Sequence, residues 1–193
     1  MSSCIKSVFQ FFEEYYNTAT GLDINQFIKV HNKNNHNPGE LLIKNDLKSS
    51  NVDISLLFNQ DIYEASENPK NNNFSKISVL IEEISHFYYF ACSHNKGRNI
   101  TLLELEIQSE IDRILAAYLC PEIFTRIHAQ SLLHQMLFKK YQQPQYELSR
   151  QIAKKFYKSL KKNPKNWTYI EKKKLLKFFY SDLGEKIHLS SYY

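Results

Sequence analysis

The stretch SKISVLIEEISHFYYFACSH, residues 75–94, decides the fold. Most of its apolar residues recur every three or four positions, which places them on one face of an α-helix. These residues are Ile77, Leu80, Ile81, Ile84, Phe87, Tyr88 and Ala91. Val79 and Phe90 lie on the other side, so the helix is apolar on two faces. A helix of this kind is covered on both sides, which predicts a central position in a helical bundle.

The segments before and after this stretch are also predicted to be helical. Residues 5–16 carry apolar side chains at intervals of three and four residues, which predicts an amphipathic helix. Thr101 is followed three residues later by Glu104, and this spacing is typical of a capping box. In a capping box each side chain accepts a hydrogen bond from the other residue's backbone N–H. The box predicts a helix that begins after Thr101 and continues to about Leu119.

Prolines indicate the helices of the second half. Pro121 and Pro144 each suit the first turn of a helix, because proline lacks the N–H that the first turn leaves unpaired. A last helix is predicted to begin near Thr168 and to end before Gly184. The loops between these helices are short, which favours antiparallel packing of neighbours.

Residues 52–58 have the alternation of a half-buried β-strand. Apolar and polar side chains take turns along the segment, and its first apolar members are Val52, Ile54 and Leu56. The apolar run at residues 41–44 precedes it after a polar break. Together the two segments predict a β-hairpin.

The predicted fold class is mainly α, a helical bundle of about five to six helices with a small β-hairpin near the N-terminus. A polar loop at residues 67–73 is the expected internal boundary. Residues 1–73 then hold the N-terminal helix and the hairpin, and residues 74–193 hold the bundle with its basic C-terminal helices. The length of 193 residues favours one compact domain overall.

Cysteine usage and hydropathy predict a cytoplasmic protein. Cys4, Cys92 and Cys120 are odd in number and far apart, which fits reduced thiols better than disulfides. The first twelve residues lack the charge and cleavage pattern of a secretion signal. Charged residues interrupt each apolar run before it reaches the ~18 residues of a membrane helix, so no membrane span is expected.

Charge is distributed unevenly along the chain. Residues 1–135 contain 11 basic and 16 acidic side chains, a net charge of −5. Residues 136–177 contain 13 basic side chains and only Glu147 and Glu171 as acids, a net charge of +11. Such asymmetry is typical of chains that bind an anionic partner, such as nucleic acid, an acidic protein surface or anionic lipid. A codon bias toward lysine would explain the excess of lysine over arginine. It would not explain why residues 136–177 contain so few acidic side chains.

The basic residues of the C-terminal helices fall on faces opposite the apolar ones when successive residues are placed about 100° apart. We call Lys154, Lys158, Lys161 and Lys162 the first lysine row, and Lys173, Lys174 and Lys177 the second lysine row. Trp167 lies between the two helices, where its ring is expected to stack on a nucleic-acid base. The segment holds one arginine, Arg150, so binding is expected to depend weakly on base sequence. A solvated face without a partner is the alternative interpretation.

Two Glu-x-x-His motifs suggest a second function, a metal-dependent enzyme. Glu83 with His86 and Glu185 with His188 have the spacing found in di-iron and di-manganese carboxylate bundles. Such a site also needs a glutamate from each of two other helices, and the candidates are Glu13 or Glu14 for one and Glu106 or Glu110 for the other. The simpler interpretation is a structural network in which buried Glu83 and His86 satisfy each other or find a partner such as Arg113 or Arg126.

Sequence patterns of other enzyme classes are missing. The chain has four separated glycines and thus no glycine-rich phosphate loop, and it has neither a His-Glu-x-x-His nor a Gly-x-Ser-x-Gly motif. The sequence therefore favours a non-enzymatic binding module over catalysis. A third hypothesis is an adaptor that binds another protein through exposed aromatic residues near Tyr88 and Tyr89, or through the hairpin as an added strand.

Overall fold

The computed structural model describes residues 3–31, 38–45, 52–69, 74–120, 134, 144–162 and 169–190. These residues are mostly helical, with a small sheet near the N-terminus, as predicted. The helices are α1 (Ser3–Tyr16), α2 (Gln60–Glu67), α3 (Phe74–His94), α4 (Leu102–Leu119), α5 (Pro144–Lys162), α6 (Tyr169–Tyr180) and α7 (Leu183–Leu189). The strands are β1 (Ile28–His31), β2 (Gly39–Asn45) and β3 (Val52–Asn59).

Helix α3 occupies the centre of the fold. It contacts the helices α1, α2 and α4, and it also contacts strands β2 and β3 of the sheet. All seven residues of its predicted apolar stripe are buried. The prediction of a central helix with two apolar faces is confirmed, because neighbours cover α3 on more than one side.

The capping box at the start of α4 is confirmed. The Thr101 hydroxyl accepts the backbone N–H of Glu104 at 3.2 Å, and the Glu104 carboxylate accepts the backbone N–H of Thr101 at 2.9 Å. Two N–H groups that the helix leaves without an internal partner are thereby paired. Helix α4 ends at Leu119, where the sequence predicts its end.

The predicted hairpin forms, and a third strand extends it. β2 pairs antiparallel with β3, so that Leu41 lies opposite Leu56. β1 pairs parallel with the other edge of β3, where Ile28 also lies opposite Leu56. The sheet order is therefore β1-β3-β2. Leu56 and Phe58 of the middle strand are fully buried, so one face of the sheet contributes to the core.

Gly39 lets strand β2 approach α3 closely. A Cβ atom at this position would lie 2.9 Å from Cγ1 of Val79 and 3.0 Å from Cγ of Glu83. Carbon atoms do not pack this closely, so any larger residue would push β2 away from α3. Gly39 thus connects the sheet to the same face of α3 that carries Glu83.

The expectation of five to six helices is wrong, because the described residues alone form seven. The first additional helix, α2, ends at Glu67, at the beginning of the predicted polar loop, and it buries Ile62 and Ala65. The second, α7, includes Gly184, where the last helix was predicted to have ended. Both are too short for their apolar spacing to be read reliably. The helix predicted at Pro121 lies outside the described residues.

Aromatic rings join α1, α3 and α6 in the core. The ring of Phe179 in α6 stacks on Tyr16 of α1 at a centroid distance of 4.0 Å, and it meets Tyr89 of α3 edge-on at 5.1 Å. Tyr88 and Tyr89 are at most 1% exposed. The hypothesis of a docking surface made by these two tyrosines is therefore wrong, because helix α6 covers them.

Within the described residues, no helix combines the length and the hydropathy that crossing a membrane requires. The longest, α3, contains two adjacent glutamates in its middle. All three cysteines are buried free thiols, as the sequence predicts.

Candidate functional sites

The first lysine row lies on α5, which packs against α4. Ile152, Ala153 and Phe156 are buried on the packed side. Lys158 is exposed and Lys154 is half-buried. Lys161 and Lys162 belong to the last turn of α5, and the predicted stacking residue Trp167 lies outside the described part of the chain.

The second lysine row lies on α6, and its three side chains are exposed. The opposite face of the helix, formed by Leu175, Phe178 and Phe179, is buried. Lys177 forms an ion pair with Glu185 of α7 at 3.1 Å. Elsewhere in the described residues, no carboxylate lies within salt-bridge distance of Lys173 or Lys174. The row therefore carries positive charge that the described part of the fold neutralises at one position.

The two rows are held by different neighbours. α5 packs on α4, where Tyr157 lies 6.2 Å from Tyr118 between ring centroids. α6 is held instead by Phe179, which contacts the rings of Tyr16 and Tyr89. The sequence predicted that each helix carries lysines opposite its apolar face. That separation of faces is visible for Lys158 and for the whole second row.

Glutamates and a histidine meet between α3 and α4. Nδ1 of His86 lies 3.5 Å from Oε2 of Glu83, and Nε2 of His86 lies 3.9 Å from Oε1 of Glu106. Arg113 lies 3.5 Å from Glu110 and donates a shorter hydrogen bond, at 2.7 Å, to the carboxylate of Glu82 on α3. We call Glu83, His86, Glu106, Glu110 and Arg113 the carboxylate–histidine cluster, and each of them is at least nine-tenths buried. Glu83 and His86 do face each other, as the structural interpretation of the sequence requires.

Proton affinities in this cluster are shifted by burial and by neighbouring charge. Burial alone would lower the pKa of His86, but the hydrogen bond and charge of Glu83, with the charge of Glu106, raise it to about 9. Burial raises the pKa of Glu106 to about 7, although the charge of His86 opposes the change. The neighbouring charge thus favours the protonated form of His86, and burial favours the protonated form of Glu106.

The six residues of the predicted metal site are not brought together. Glu83, His86, Glu106 and Glu110 belong to the carboxylate–histidine cluster. The second Glu-x-x-His motif lies on α7, where Glu185 pairs with Lys177 and His188 is exposed. In the part of the chain that the structure describes, no three Asp, Glu, His or Cys side chains are arranged to hold one metal ion.

A buried lysine is the residue that the sequence did not indicate. Lys186 of α7 is 0% exposed. Its Nζ donates hydrogen bonds to Oε1 of Gln108 at 3.0 Å and to the backbone oxygen of Phe178 at 2.6 Å. The rings of Phe178 and Tyr89 lie 4.3 and 4.9 Å from the ammonium nitrogen. Burial lowers the pKa of Lys186 to about 7, even though the charge of Asp112 opposes the change.

Gln108 links Lys186 to a buried aspartate. Its amide Nε2 donates to Oδ1 of Asp112 at 2.9 Å, and the other carboxylate oxygen accepts the hydroxyl of Ser85 at 2.5 Å. Tyr16 donates its hydroxyl to Asp112 as well. Burial raises the pKa of Asp112 to about 6, although these three hydrogen bonds lower it. The network connects α1, α3, α4 and α7 through polar atoms inside the core.

No known protein family, curated protein or solved structure matches this chain. We therefore infer function from the side chains alone.

Access to ligand distinguishes the candidate sites. A cavity of about 300 Å³ lies between α1 and the loop at residues 21–24. Its charged lining residues are Lys6, Glu13 and Asp23, and the Glu13 carboxylate already accepts hydrogen bonds from Thr20. Neither buried cluster lines it. The exposed lysines of α5 and α6, unlike the two buried clusters, are charged groups that a large partner reaches directly.

Proposed function

We propose that this chain is a non-enzymatic cytoplasmic binding module whose two lysine rows dock on a polyanionic partner, either nucleic acid or an acidic protein surface. The observation that carries the proposal is the second lysine row. It presents three exposed ammonium groups on a helix whose opposite face is anchored in the aromatic core. Anchoring of the helix fixes the backbone positions from which the lysines extend before the partner arrives, which lowers the entropic cost of binding.

Binding of a polyanion at this surface is favoured by counterion release. Each phosphate that a lysine neutralises frees condensed counterions, so affinity falls steeply as salt rises. The ion pair between Lys177 and Glu185 competes weakly, because exposed pairs contribute about 1 kcal/mol or less. Lysine contacts phosphates as a point charge, whereas arginine can recognise the edge of a base through bidentate hydrogen bonds. The proposed binding therefore has little sequence specificity.

The experiment is a fluorescence-anisotropy titration against nucleic acids and against an acidic polypeptide, polyglutamate, at several salt concentrations. The test variant is Lys173→Glu/Lys174→Glu, which reverses two exposed charges without touching the buried face of α6. The matched control is Lys29→Glu/Lys44→Glu, which reverses two exposed lysines on strands β1 and β2. We expect the test variant to lose binding and the control to keep it. Equal behaviour of the two variants would refute the assignment of the surface.

A di-iron or di-manganese enzyme is the second candidate. What supports it is the meeting of Glu83, His86, Glu106 and Glu110 between α3 and α4. It is the weaker candidate, since Arg113 brings a positive charge into the cluster and the motif on α7 does not join it. Elemental analysis of protein grown in medium supplemented with iron and manganese tests this candidate. Stoichiometric metal that Glu106→Gln abolishes would support it, and metal-free protein would contradict it.

A further inference from the structure

One face of α6 carries an aromatic ring in line with two lysines. Lys173, Lys177 and Tyr180 are four and three residues apart, so they follow one another along the same side of the helix. All three are exposed, whereas Phe179 next to Tyr180 is buried. The last turn of the helix thus places a ring at the end of a row of ammonium groups.

The ring of Tyr180 is held in place and is still open to solvent. Its hydroxyl contacts the hydroxyl of Thr18 and lies 3.3 Å from the backbone oxygen of Tyr16. The ring meets Phe179 at right angles at a centroid distance of 5.1 Å. Nevertheless Tyr180 is 39% exposed. A fixed, exposed ring needs little ordering when a flat ligand stacks on it.

Lys96 adds a cation beside the ring. It belongs to the turn after α3, in which Gly97 has a φ of 65°. Nζ of Lys96 lies 3.6 Å from the centroid of the Tyr180 ring. An exposed cation–π contact contributes about 0.5–1 kcal/mol, whereas a base stacked on an aromatic side chain contributes about 1–3 kcal/mol. A base therefore displaces the Lys96 ammonium from the ring and leaves it free to meet a phosphate.

Charge alone does not make this a strong site. Glu185 pairs with Lys177, and the exposed Asp182 caps α7 nearby in sequence. Glu185 thus offsets one of the three ammonium groups of Lys96, Lys173 and Lys177. An anion without bases is consequently held weakly here, and stacking has to supply the additional affinity.

We propose that Tyr180, with Lys96, Lys173 and Lys177, is a stacking site for a base of single-stranded nucleic acid. This inference rests on the proposed function and names the partner within it. A single strand offers unpaired bases that can turn onto the ring while its phosphates meet the lysines. In a duplex the bases are already stacked and paired, and turning one out costs a few kcal/mol. The site therefore favours single strands over duplexes.

The experiment compares three probes by fluorescence anisotropy: a short single-stranded oligonucleotide, the duplex of the same length and inorganic polyphosphate. Tyr180→Leu removes the ring and keeps an apolar side chain, and Tyr180→Phe keeps the ring and removes the hydroxyl. We expect Tyr180→Leu to weaken single-strand binding about 5- to 150-fold, the equivalent of one stacked base. Polyphosphate binding is expected to stay unchanged. Tyr180→Phe is expected to stay within about twofold of the unsubstituted protein for every probe. Circular dichroism checks that both variants keep their helix content.

Three results would overturn the inference in distinguishable ways. If Tyr180→Leu leaves single-strand affinity unchanged, the ring is not a stacking site. If it weakens polyphosphate and single-strand binding equally, Tyr180 acts through the position of α6 and not through a base. If the unsubstituted protein binds none of the three probes, no nucleic-acid surface exists and an acidic protein is left as the partner of the lysine rows.

Discussion

Replacing Lys186 with methionine should change how the stability of the protein depends on pH. Lys186 is completely buried, and its Nζ is bonded to two uncharged acceptors, Oε1 of Gln108 and the backbone oxygen of Phe178. Water is excluded from the ammonium, so the charged form is penalised in the folded protein. Methionine has a similar length and fills the same space without a titrating group.

The magnitude follows from the pKa of Lys186 in the two states. Burial lowers it to about 7 in the folded protein, whereas an unfolded chain has a lysine pKa of about 10.4. Because the folded value is the lower one, stability is lost as pH falls from about 10 toward 7 and regained as pH rises. Between pH 7 and 9 the contribution of Lys186 to the free energy of unfolding should grow by about 2 kcal/mol.

Urea denaturation at pH 7, 8 and 9 measures this contribution. The quantity of interest is the difference in unfolding free energy between the unsubstituted protein and Lys186→Met. Cysteines that ionise in the unfolded chain affect both proteins alike, so they cancel in the difference. Asp112 increases this difference in the same direction. The charge of Lys186 lowers the pKa of Asp112, so in Lys186→Met the carboxyl keeps its proton to higher pH. The variant therefore loses stability as pH rises. A difference that stays constant from pH 7 to 9 would refute the burial of an ionisable amine at this position.

Three further predictions concern single contacts. Gly39→Ala should destabilise the protein by about 1–3 kcal/mol, because the new Cβ atom overlaps side chains of α3. The control, Gly184→Ala, has room for a Cβ atom and should not destabilise the protein. Thermal unfolding compares the two variants. Thr101→Ala removes the cap of α4 and should cost about 1 kcal/mol in urea denaturation. Glu83→Gln should move the NMR titration midpoint of the His86 ring from about 9 toward lower pH, because the charge that holds the proton is removed.

A different result would contradict each prediction. Equal melting temperatures for Gly39→Ala and the unsubstituted protein would mean that β2 does not press on α3. A Thr101 variant with unchanged stability would mean that the first turn of α4 is capped by other groups. A titration midpoint of His86 that does not move would show that Glu83 is not the neighbour that holds its proton.

Features with a local cause could be predicted from the sequence. The stripe on α3 extends from Ile77 to Ala91, about four turns of helix, so the periodic signal is strong and its burial was predicted residue by residue. The capping box needs two residues three positions apart, Thr101 and Glu104, and it forms as expected. The alternation in β3 likewise predicts a half-buried strand, and the strand forms.

Features that depend on distant partners were not predictable in this way. Strand β1 has four residues and pairs in parallel with β3, which lies more than twenty positions later. Lys186 is buried because Gln108 and Phe178, from two other helices, supply its acceptors. The sequence immediately around Lys186 does not reveal these acceptors, because Gln108 lies 78 positions earlier in the chain. The alignment of Tyr180 with Lys173 and Lys177 was available from helical spacing, but the approach of Lys96 depends on the turn after α3.

The most direct test of the proposed function is the salt dependence of binding to a single-stranded oligonucleotide. Three lysines of the second row that each neutralise one phosphate give a plot of log affinity against log salt with a slope of about −2. We predict binding at low salt with a slope at least this steep, and loss of that binding in Lys173→Glu/Lys174→Glu. Affinity that does not change with salt would contradict the account, and absence of binding at low salt would exclude nucleic acid as the partner.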